Sequence, residues 1–212
     1  MSPQPGLQPI LLAAAVIPVV IIDDLRHAVP LARALAAGGL KVIEITLRTA
    51  AGLEAIRAIA AEVPEAIVGA GTVLDPEQLA AVTQAGARFA VSPGATARIL
   101  DAAAGVEIPL LPGIATASEA MALIERGYRF AKFFPAEPAG GAAYLSAIAS
   151  PLPQLRFCPT GGITLDSAPR YLKLPNVICV GGSWMVNRNT IAASDWSAIT
   201  AAAMQAAALK AI

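Results

Sequence analysis

One lysine lies within an apolar run in the second half of the chain. Lys132 stands in segment 130–135 (FAKFFP), whose composition is typical of a buried β-strand. Because successive side chains of a strand point to opposite faces, Phe130, Lys132 and Phe134 share one face. An ammonium group kept from water is costly without a partner, so a buried lysine gives up its proton readily. The neutral amine is a nucleophile that forms a Schiff base with a ketone, which makes Lys132 a candidate for covalent catalysis.

The same lysine also has a structural interpretation. Its aliphatic stem packs on the phenylalanine rings while its head group reaches water or a carboxylate. The residues that surround Lys132 in the folded chain decide between the two interpretations.

A second apolar segment carries polar residues at alternate positions. In segment 42–48 (VIEITLR), Glu44, Thr46 and Arg48 share one face of the predicted strand, and the isoleucines occupy the other. A carboxylate such as Glu44 can exchange protons with a substrate. The guanidinium of Arg48 suits a carboxylate because it donates two parallel hydrogen bonds. The structural alternative is an internal ion pair between Glu44 and Arg48.

Small residues follow three other predicted strands. Thr72 ends segment 69–72 (GAGT), where small side chains leave room at the end of the strand, although a lone threonine there is most often a helix cap. Thr160-Gly161-Gly162 and Gly181-Gly182-Ser183 follow two later strands. Such loops bind phosphate through backbone N–H groups at a helix N-terminus. Glycine pairs are also common in tight turns, which is the structural alternative.

Short apolar runs alternate with helix-period segments eight times after a leading helix. This count favours a closed (β/α)8 TIM barrel with an N-terminal helix, formed by one domain over residues 1–212, because an open doubly wound sheet usually has about five or six strands. Active sites of such barrels lie at the carboxyl ends of the strands. The barrel would therefore bring the polar residues to one mouth. The predicted strands are 16–22, 41–46, 66–72, 89–92, 109–114, the Lys132 strand, 156–160 and 176–180.

Composition restricts the partners and the compartment. Of 212 residues, 56% are apolar and 14% charged, which predicts a large core and surface buried against other subunits. Fifteen basic residues balance fifteen acidic ones, which predicts a small-molecule ligand rather than nucleic acid or a membrane.

Segment 9–22 is too short to span a bilayer and follows no basic residue, so we expect a cytoplasmic protein. Cys158 and Cys179 are expected to be reduced. His27 is expected at the surface, and alone it cannot form the usual His-rich metal site.

Six short motifs occur in order along the chain. They are EITLRT at 44–49, GAGTV at 69–73, SPG at 92–94, KFFPAE at 132–137, PTGGI at 159–163 and GGSW at 181–184. Together they resemble the 2-keto-3-deoxy-6-phosphogluconate aldolases, a family that includes 4-hydroxy-2-oxoglutarate aldolases. The resemblance extends over about residues 16–196. It implies a homotrimeric class I aldolase of (β/α)8 fold, acting on a phosphorylated keto acid without a cofactor.

The resemblance also implies roles for individual residues. Lys132 would form the Schiff base, and Glu44 would act as acid and base. Arg48 and Thr72 would bind the pyruvate carboxylate. The rest of the substrate, including its phosphate, would be bound by Pro93, Phe134, Thr160, Gly161, Gly162, Gly181, Gly182 and Ser183.

The implied reaction cleaves 2-dehydro-3-deoxy-6-phosphogluconate to pyruvate and D-glyceraldehyde 3-phosphate, and 4-hydroxy-2-oxoglutarate is a second candidate substrate. Three alternatives stay open from the sequence. One is a family member specific for the phosphogalactonate substrate. Another is a barrel isomerase or synthase in which Lys132 supplies only a charge, and the last is a non-catalytic barrel that binds a phosphate ester.

Overall fold

The structure, a computed structural model, describes residues 3–209. The ends of the predicted domain, residues 1–2 and 210–212, lie outside the described residues. Strands and helices alternate along most of the chain. The strands are β1 Val16–Val20, β2 Val42–Thr46, β3 Ile67–Gly71, β4 Ala90–Val91, β5 Leu110–Leu111, β6 Gly113–Ile114, β7 Phe130–Phe133, β8 Arg156–Pro159 and β9 Val180–Gly182. The helices are α1 Leu7–Leu12, α2 Ala28–Ala37, α3 Gly52–Glu62, α4 Pro76–Gln84, α5 Ala97–Ala103, α6 Ala117–Glu125, α7 Gly141–Ala149, α8 Ala168–Leu172, α9 Arg188–Ala192 and α10 Trp196–Ala207.

The strands form two parallel sheets of an α/β fold. One has the order β5-β4-β3-β2-β1-β9, and the other has the order β6-β7-β8. The predicted fifth strand is divided at Pro112, so its first half pairs with β4 and its second half with β7. Isolated bridges pair Phe157 with Val177 and Thr160 with Gly181. The two sheets are thus connected both by one chain segment and by the bridge between Thr160 and Gly181 of β9.

Apolar side chains fill both faces of the sheets. The larger cluster packs the strands against the surrounding helices, as expected for parallel strands covered on both faces. A smaller cluster contains Leu7 and Leu11 of α1 together with strand residues such as Val42 and Val91. The leading helix therefore packs against the strands near their amino-terminal ends, which leaves the carboxyl-terminal ends for the site.

A buried glutamine joins the two sheets near the amino-terminal ends of β5 and β7. The Gln4 side-chain amide donates to the carbonyls of Leu110 at 2.8 Å and Phe130 at 2.9 Å. Its oxygen accepts from the N–H groups of Arg129 and Phe130, both at 3.0 Å. One side chain thus satisfies backbone groups that would otherwise be unpaired in the protein interior.

Several local predictions need correction. The last strand lies at Val180–Gly182 rather than 176–180, because Asn176 uses its side chain to donate to the Leu145 carbonyl and only the isolated bridge at Val177 forms there. Helix α9 was not predicted. His27 is partly buried, with its ring 5.8 Å from that of Trp196.

The two cysteines are free and buried, as expected. Interaction with the Cys158 thiol and, second, burial raise the pKa of Cys179 well above its usual value. Within residues 3–209, none of the helices is long and apolar enough to cross a membrane.

Helix α6 begins at a side-chain cap. The N-cap is Thr116, whose hydroxyl accepts from the Glu119 N–H at 3.3 Å. The Glu119 carboxylate in turn accepts from the N–H groups of Ala115 at 2.8 Å and Thr116 at 2.9 Å, which completes a capping box. The hydrogen bond from Ala115 is the largest cause of the lowered pKa of Glu119.

We expect Thr116→Ala to lower the free energy of unfolding by about 1 kcal/mol, because the cap hydrogen bond is lost. Ser118→Ala is the matched control, since Ser118 is exposed inside the first turn, and we expect a change within about 0.5 kcal/mol. Urea denaturation of both variants measures the difference. Equal losses would show that Thr116 does not provide the cap.

Candidate active site

Lys132 and Glu44 form a buried contact. Lys132 is 3% exposed and Glu44 4% exposed, and Nζ lies 3.2 Å from Oε1 of Glu44. Lys132 Nζ also lies 5.3 Å from the centre of the Phe134 ring, which agrees with the predicted shared face. The lysine head group therefore reaches a carboxylate, and the two groups balance each other's charge away from water. At this distance a proton can pass directly between the amine and the carboxylate.

The glycines of β3 make room for specific side chains. A Cβ on Gly71 would lie 2.1 Å from Oε1 of Glu44, and a Cβ on Gly69 would lie 2.3 Å from the Phe89 ring. Both positions are closed to any larger residue unless these side chains move. The space that the sequence assigned to the mouth is thus occupied by the Glu44 carboxylate and by a core phenylalanine.

Arg48 contacts Thr72 rather than Glu44. Its Nε donates to the Thr72 hydroxyl at 3.0 Å, and Thr72 has a φ of 58°. This left-handed conformation is unfavourable for a β-branched residue and is often found at functional sites. The structural alternative of an internal Glu44–Arg48 ion pair is therefore wrong. Arg48 is exposed, so its remaining donors face the opening.

The two glycine pairs differ in why they require glycine. Gly161 and Gly162 have positive φ values of 111° and 79°, which favour glycine. A Cβ on Gly181 would lie 2.3 Å from the Thr160 hydroxyl, and one on Gly182 would lie 1.9 Å from the Trp184 ring. Close packing on neighbouring side chains thus explains the second pair. The first pair lies in a bend of the chain, and successive N–H groups of a turn can form a concavity that suits an anion.

Both glycine loops line the same cavity. It has a volume of about 130 Å³ and opens beside Arg48. Eight of the twelve predicted site residues line it. Lys132 and Glu44 are buried, with Lys132 close to the lining residue Phe134, and Thr72 contacts the lining residue Arg48. The lining residues are Val19, Ile21, Arg48, Phe134, Thr160, Gly161, Gly162, Ile163, Gly181, Gly182 and Ser183.

Pro93 lies against the strand that pairs with the Lys132 strand. A Cβ on Gly113 would lie 2.2 Å from the Pro93 carbonyl oxygen, and Gly113 pairs in register with Lys132. Pro93 therefore packs one strand away from the lysine and does not line the cavity.

The sequence interpretation missed three residues that line the cavity, Val19, Ile21 and Ile163. Their positions at the ends of predicted strands could have indicated them, but apolar residues there are equally typical of the core.

Charged side chains at the surface are arranged as ion pairs rather than as a metal site. Across residues 3–209, no cluster of three or more histidine, cysteine, aspartate or glutamate side chains is placed to hold a metal ion. Asp23 pairs with Arg188 at 2.9 Å and Asp24 with Arg26 at 2.6 Å, both at the surface. The hydrogen bond from Arg26 is the main reason that the pKa of Asp24 falls to about 2.

Known proteins resemble the chain over most of its length. The family model for KDPG and KHG aldolase matches residues 7–202. The 2-dehydro-3-deoxy-phosphogluconate aldolase of Dickeya dadantii (strain 3937) is 56% identical over 199 residues, which cover 94% of this chain and 93% of that protein.

Two solved structures also match the chain. One is the KDPG aldolase of Legionella pneumophila with pyruvate captured at low pH as a covalent carbinolamine intermediate; it has a TM-score of 0.93 at 46% identity, covering 98% of this chain and 99% of its own. The other is the 2-keto-3-deoxy-6-phosphogluconate aldolase of Zymomonas mobilis ZM4 with 3-phosphoglycerate, at a TM-score of 0.92 and 47% identity, covering 97% and 96%. The identities and the covered lengths show that this chain belongs to the KDPG and KHG aldolase family.

Proposed function

We propose that this protein is a class I aldolase that cleaves 2-dehydro-3-deoxy-6-phosphogluconate to pyruvate and D-glyceraldehyde 3-phosphate. The observation that carries the proposal is the 3.2 Å contact between Lys132 Nζ and Glu44 Oε1, beside a cavity lined by glycine loops. Membership of an aldolase family supports a lyase reaction over the isomerase, synthase and binding alternatives. The relatives named above are aldolases acting on this sugar acid, which supports the same substrate here.

Lys132 passes its proton to Glu44 and begins the reaction as a neutral amine. Its Nζ adds to the C2 ketone to give a carbinolamine. Glu44 then gives the proton to the departing hydroxyl, so that loss of water gives an iminium and leaves Glu44 as a carboxylate. Glu44 then takes the proton of the C4 hydroxyl, the C3–C4 bond breaks, and its electron pair passes to the iminium to form an enamine. The aldehyde leaves, Glu44 returns a proton to C3, and hydrolysis of the iminium releases pyruvate. One carboxylate at hydrogen-bond distance from the lysine can serve in both directions.

The remaining residues bind the two ends of the substrate. Arg48 binds the carboxylate of the keto acid through its free N–H donors, and Thr72 holds the guanidinium in place. The two glycine loops and Ser183 bind the phosphate through backbone N–H groups and the hydroxyl. Phe134 and Thr160 lie between these ends, and Pro93 supports the neighbouring strand. A substrate without phosphate, such as 4-hydroxy-2-oxoglutarate, uses only the first part of the site.

We further propose that residues 1–212 form one closed (β/α)8 barrel domain. The division of the fifth strand between the two sheets supports closure on one side, and the Thr160–Gly181 bridge supports it on the other. A crystal structure with an open seam at either place would contradict it. A cytoplasmic location is also proposed, because free buried thiols suit a reducing compartment.

Borohydride reduction with pyruvate tests the covalent step. We expect the intact protein to gain one reduced pyruvate adduct on Lys132, located by peptide mass spectrometry, because reduction fixes the iminium. Lys132→Met should form no adduct, whereas Glu44→Gln should form one but cleave substrate roughly 100- to 10 000-fold more slowly. Active protein without an adduct would favour the non-iminium isomerase or synthase.

The space at Gly71 provides a second test of Glu44. Gly71→Ala should displace the Glu44 carboxylate. A displacement of about 1 Å costs on the order of 100-fold in the rate of cleavage. Gly69→Ala is the control in the same strand, because its Cβ meets Phe89 and disturbs packing without touching Glu44. Rates are compared per folded molecule, counted by circular dichroism. Cleavage by Gly71→Ala at the rate of Gly69→Ala would argue against the role of Glu44.

The assembly is proposed to be a homotrimer. Large apolar side chains remain at the surface of the single chain, and burying them between subunits would remove them from water. We expect sedimentation equilibrium to give about three times the 21.5 kDa mass of the chain. A mass equal to that of one chain would refute the trimer. The side chains concerned are Leu12, Leu25, Leu74, Met121 and Met204, which are 45% to 61% exposed.

A further inference from the structure

The segment after β7 is bonded to the first glycine loop. The Ala136 N–H donates to the Thr160 carbonyl at 2.8 Å, and the Glu137 N–H donates to the Gly161 carbonyl at 3.0 Å. A Cβ on Gly162 would lie 2.9 Å from both Cβ and Cγ of Glu137. The methylene groups of Glu137 therefore pack directly on the glycine whose backbone is proposed to bind phosphate.

The carboxylate of Glu137 is fixed at its other end. Its Oε1 accepts from the Tyr171 hydroxyl at 2.6 Å and from the Arg170 guanidinium at 2.6 Å. Tyr171 is fully buried in α8, the helix that follows the glycine loop, whereas the Arg170 side chain is 57% exposed. Because an exposed ion pair contributes little, the buried hydroxyl is the firmer anchor.

The charge of Glu137 is neutralised in this arrangement. The hydrogen bond from Tyr171 and, after it, the one from Arg170 lower the pKa of Glu137, so the carboxylate is ionised at neutral pH. Burial and the contact with this carboxylate raise the pKa of Tyr171. A free carboxylate beside the loop would repel a phosphate dianion, and the two donors hold its charge away from that loop.

We propose that Glu137 and Tyr171 form a positioning pair that holds the Gly161–Gly162 loop in its phosphate-binding conformation. The inference rests on the proposed function. It adds two residues outside the cavity that determine affinity for the phosphate end of the substrate and leave the lysine chemistry unchanged. Neither touches the reacting atoms.

Condensation of pyruvate with two aldehydes isolates the phosphate. D-Glyceraldehyde 3-phosphate and D-glyceraldehyde differ only in that group. We expect Tyr171→Phe to raise KM for the phosphorylated aldehyde roughly three- to tenfold with kcat unchanged, because one buried hydrogen bond to the carboxylate is lost. The kcat/KM for D-glyceraldehyde should stay within about twofold of that of the unmodified protein, since this substrate does not use the loop. Glu137→Gln should change the same KM in the same direction.

Tyr144→Phe is the matched control, because Tyr144 stacks on Phe133 and its hydroxyl has no protein partner among the described residues. Rates are divided by the fraction of protein that borohydride traps with pyruvate, which corrects for misfolded molecules. An unchanged KM for the phosphorylated aldehyde in Tyr171→Phe and Glu137→Gln, or equal losses with both aldehydes, would overturn the positioning role. Absence of any pyruvate adduct in the unmodified protein would instead overturn the proposed function.

Discussion

The contact between Lys132 and Glu44 is the interaction on which the rest of the site depends. The two residues are 88 positions apart and belong to strands of different sheets, β7 and β2, yet their charged ends are 3.2 Å apart. Side chains of different sheets can meet in this way only if the sheets curve around a common interior. The curvature therefore puts the proposed nucleophile beside a carboxylate where water is largely excluded, so that the carboxylate can take the proton of the lysine and free the amine for a ketone.

Glycines make room for polar side chains in this interior. Gly71 leaves space for the Glu44 carboxylate, and Gly181 leaves space for the Thr160 side chain beside the cavity. A methyl group at either position would overlap a polar side chain that belongs to the site. Thr72 is constrained in its backbone, which is left-handed. Its hydroxyl accepts the hydrogen bond that orients Arg48.

The chemistry and the binding of the substrate's far end are mechanically connected. The strand that carries Lys132 is followed by a turn in which the N–H groups of Ala136 and Glu137 donate to the carbonyls of Thr160 and Gly161. A substrate bound as proposed at the glycine loop is thereby held at a fixed distance from the amine. Such positioning is a large part of catalysis because it removes the need to align the reacting atoms after binding. The proposed pair of Tyr171 and Glu137 acts on the same loop from outside the cavity.

Periodicity and composition alone determined the alternation of strands and helices and the burial of Lys132, because these follow from local geometry along the chain. The predicted common face of Glu44 and Arg48 does not form, because β2 ends at Thr46 and Arg48 lies in the turn that follows. The motifs indicated the family, and most of the residues they indicated lie around one cavity. Tertiary structure decided the partners: Glu44 meets Lys132, Arg48 meets Thr72, and Tyr171 holds Glu137. It also decided the break at Pro112 and the cap at Thr116. Alternation gives the face of a strand on which a side chain lies, whereas its partner depends on how distant strands are brought together in space.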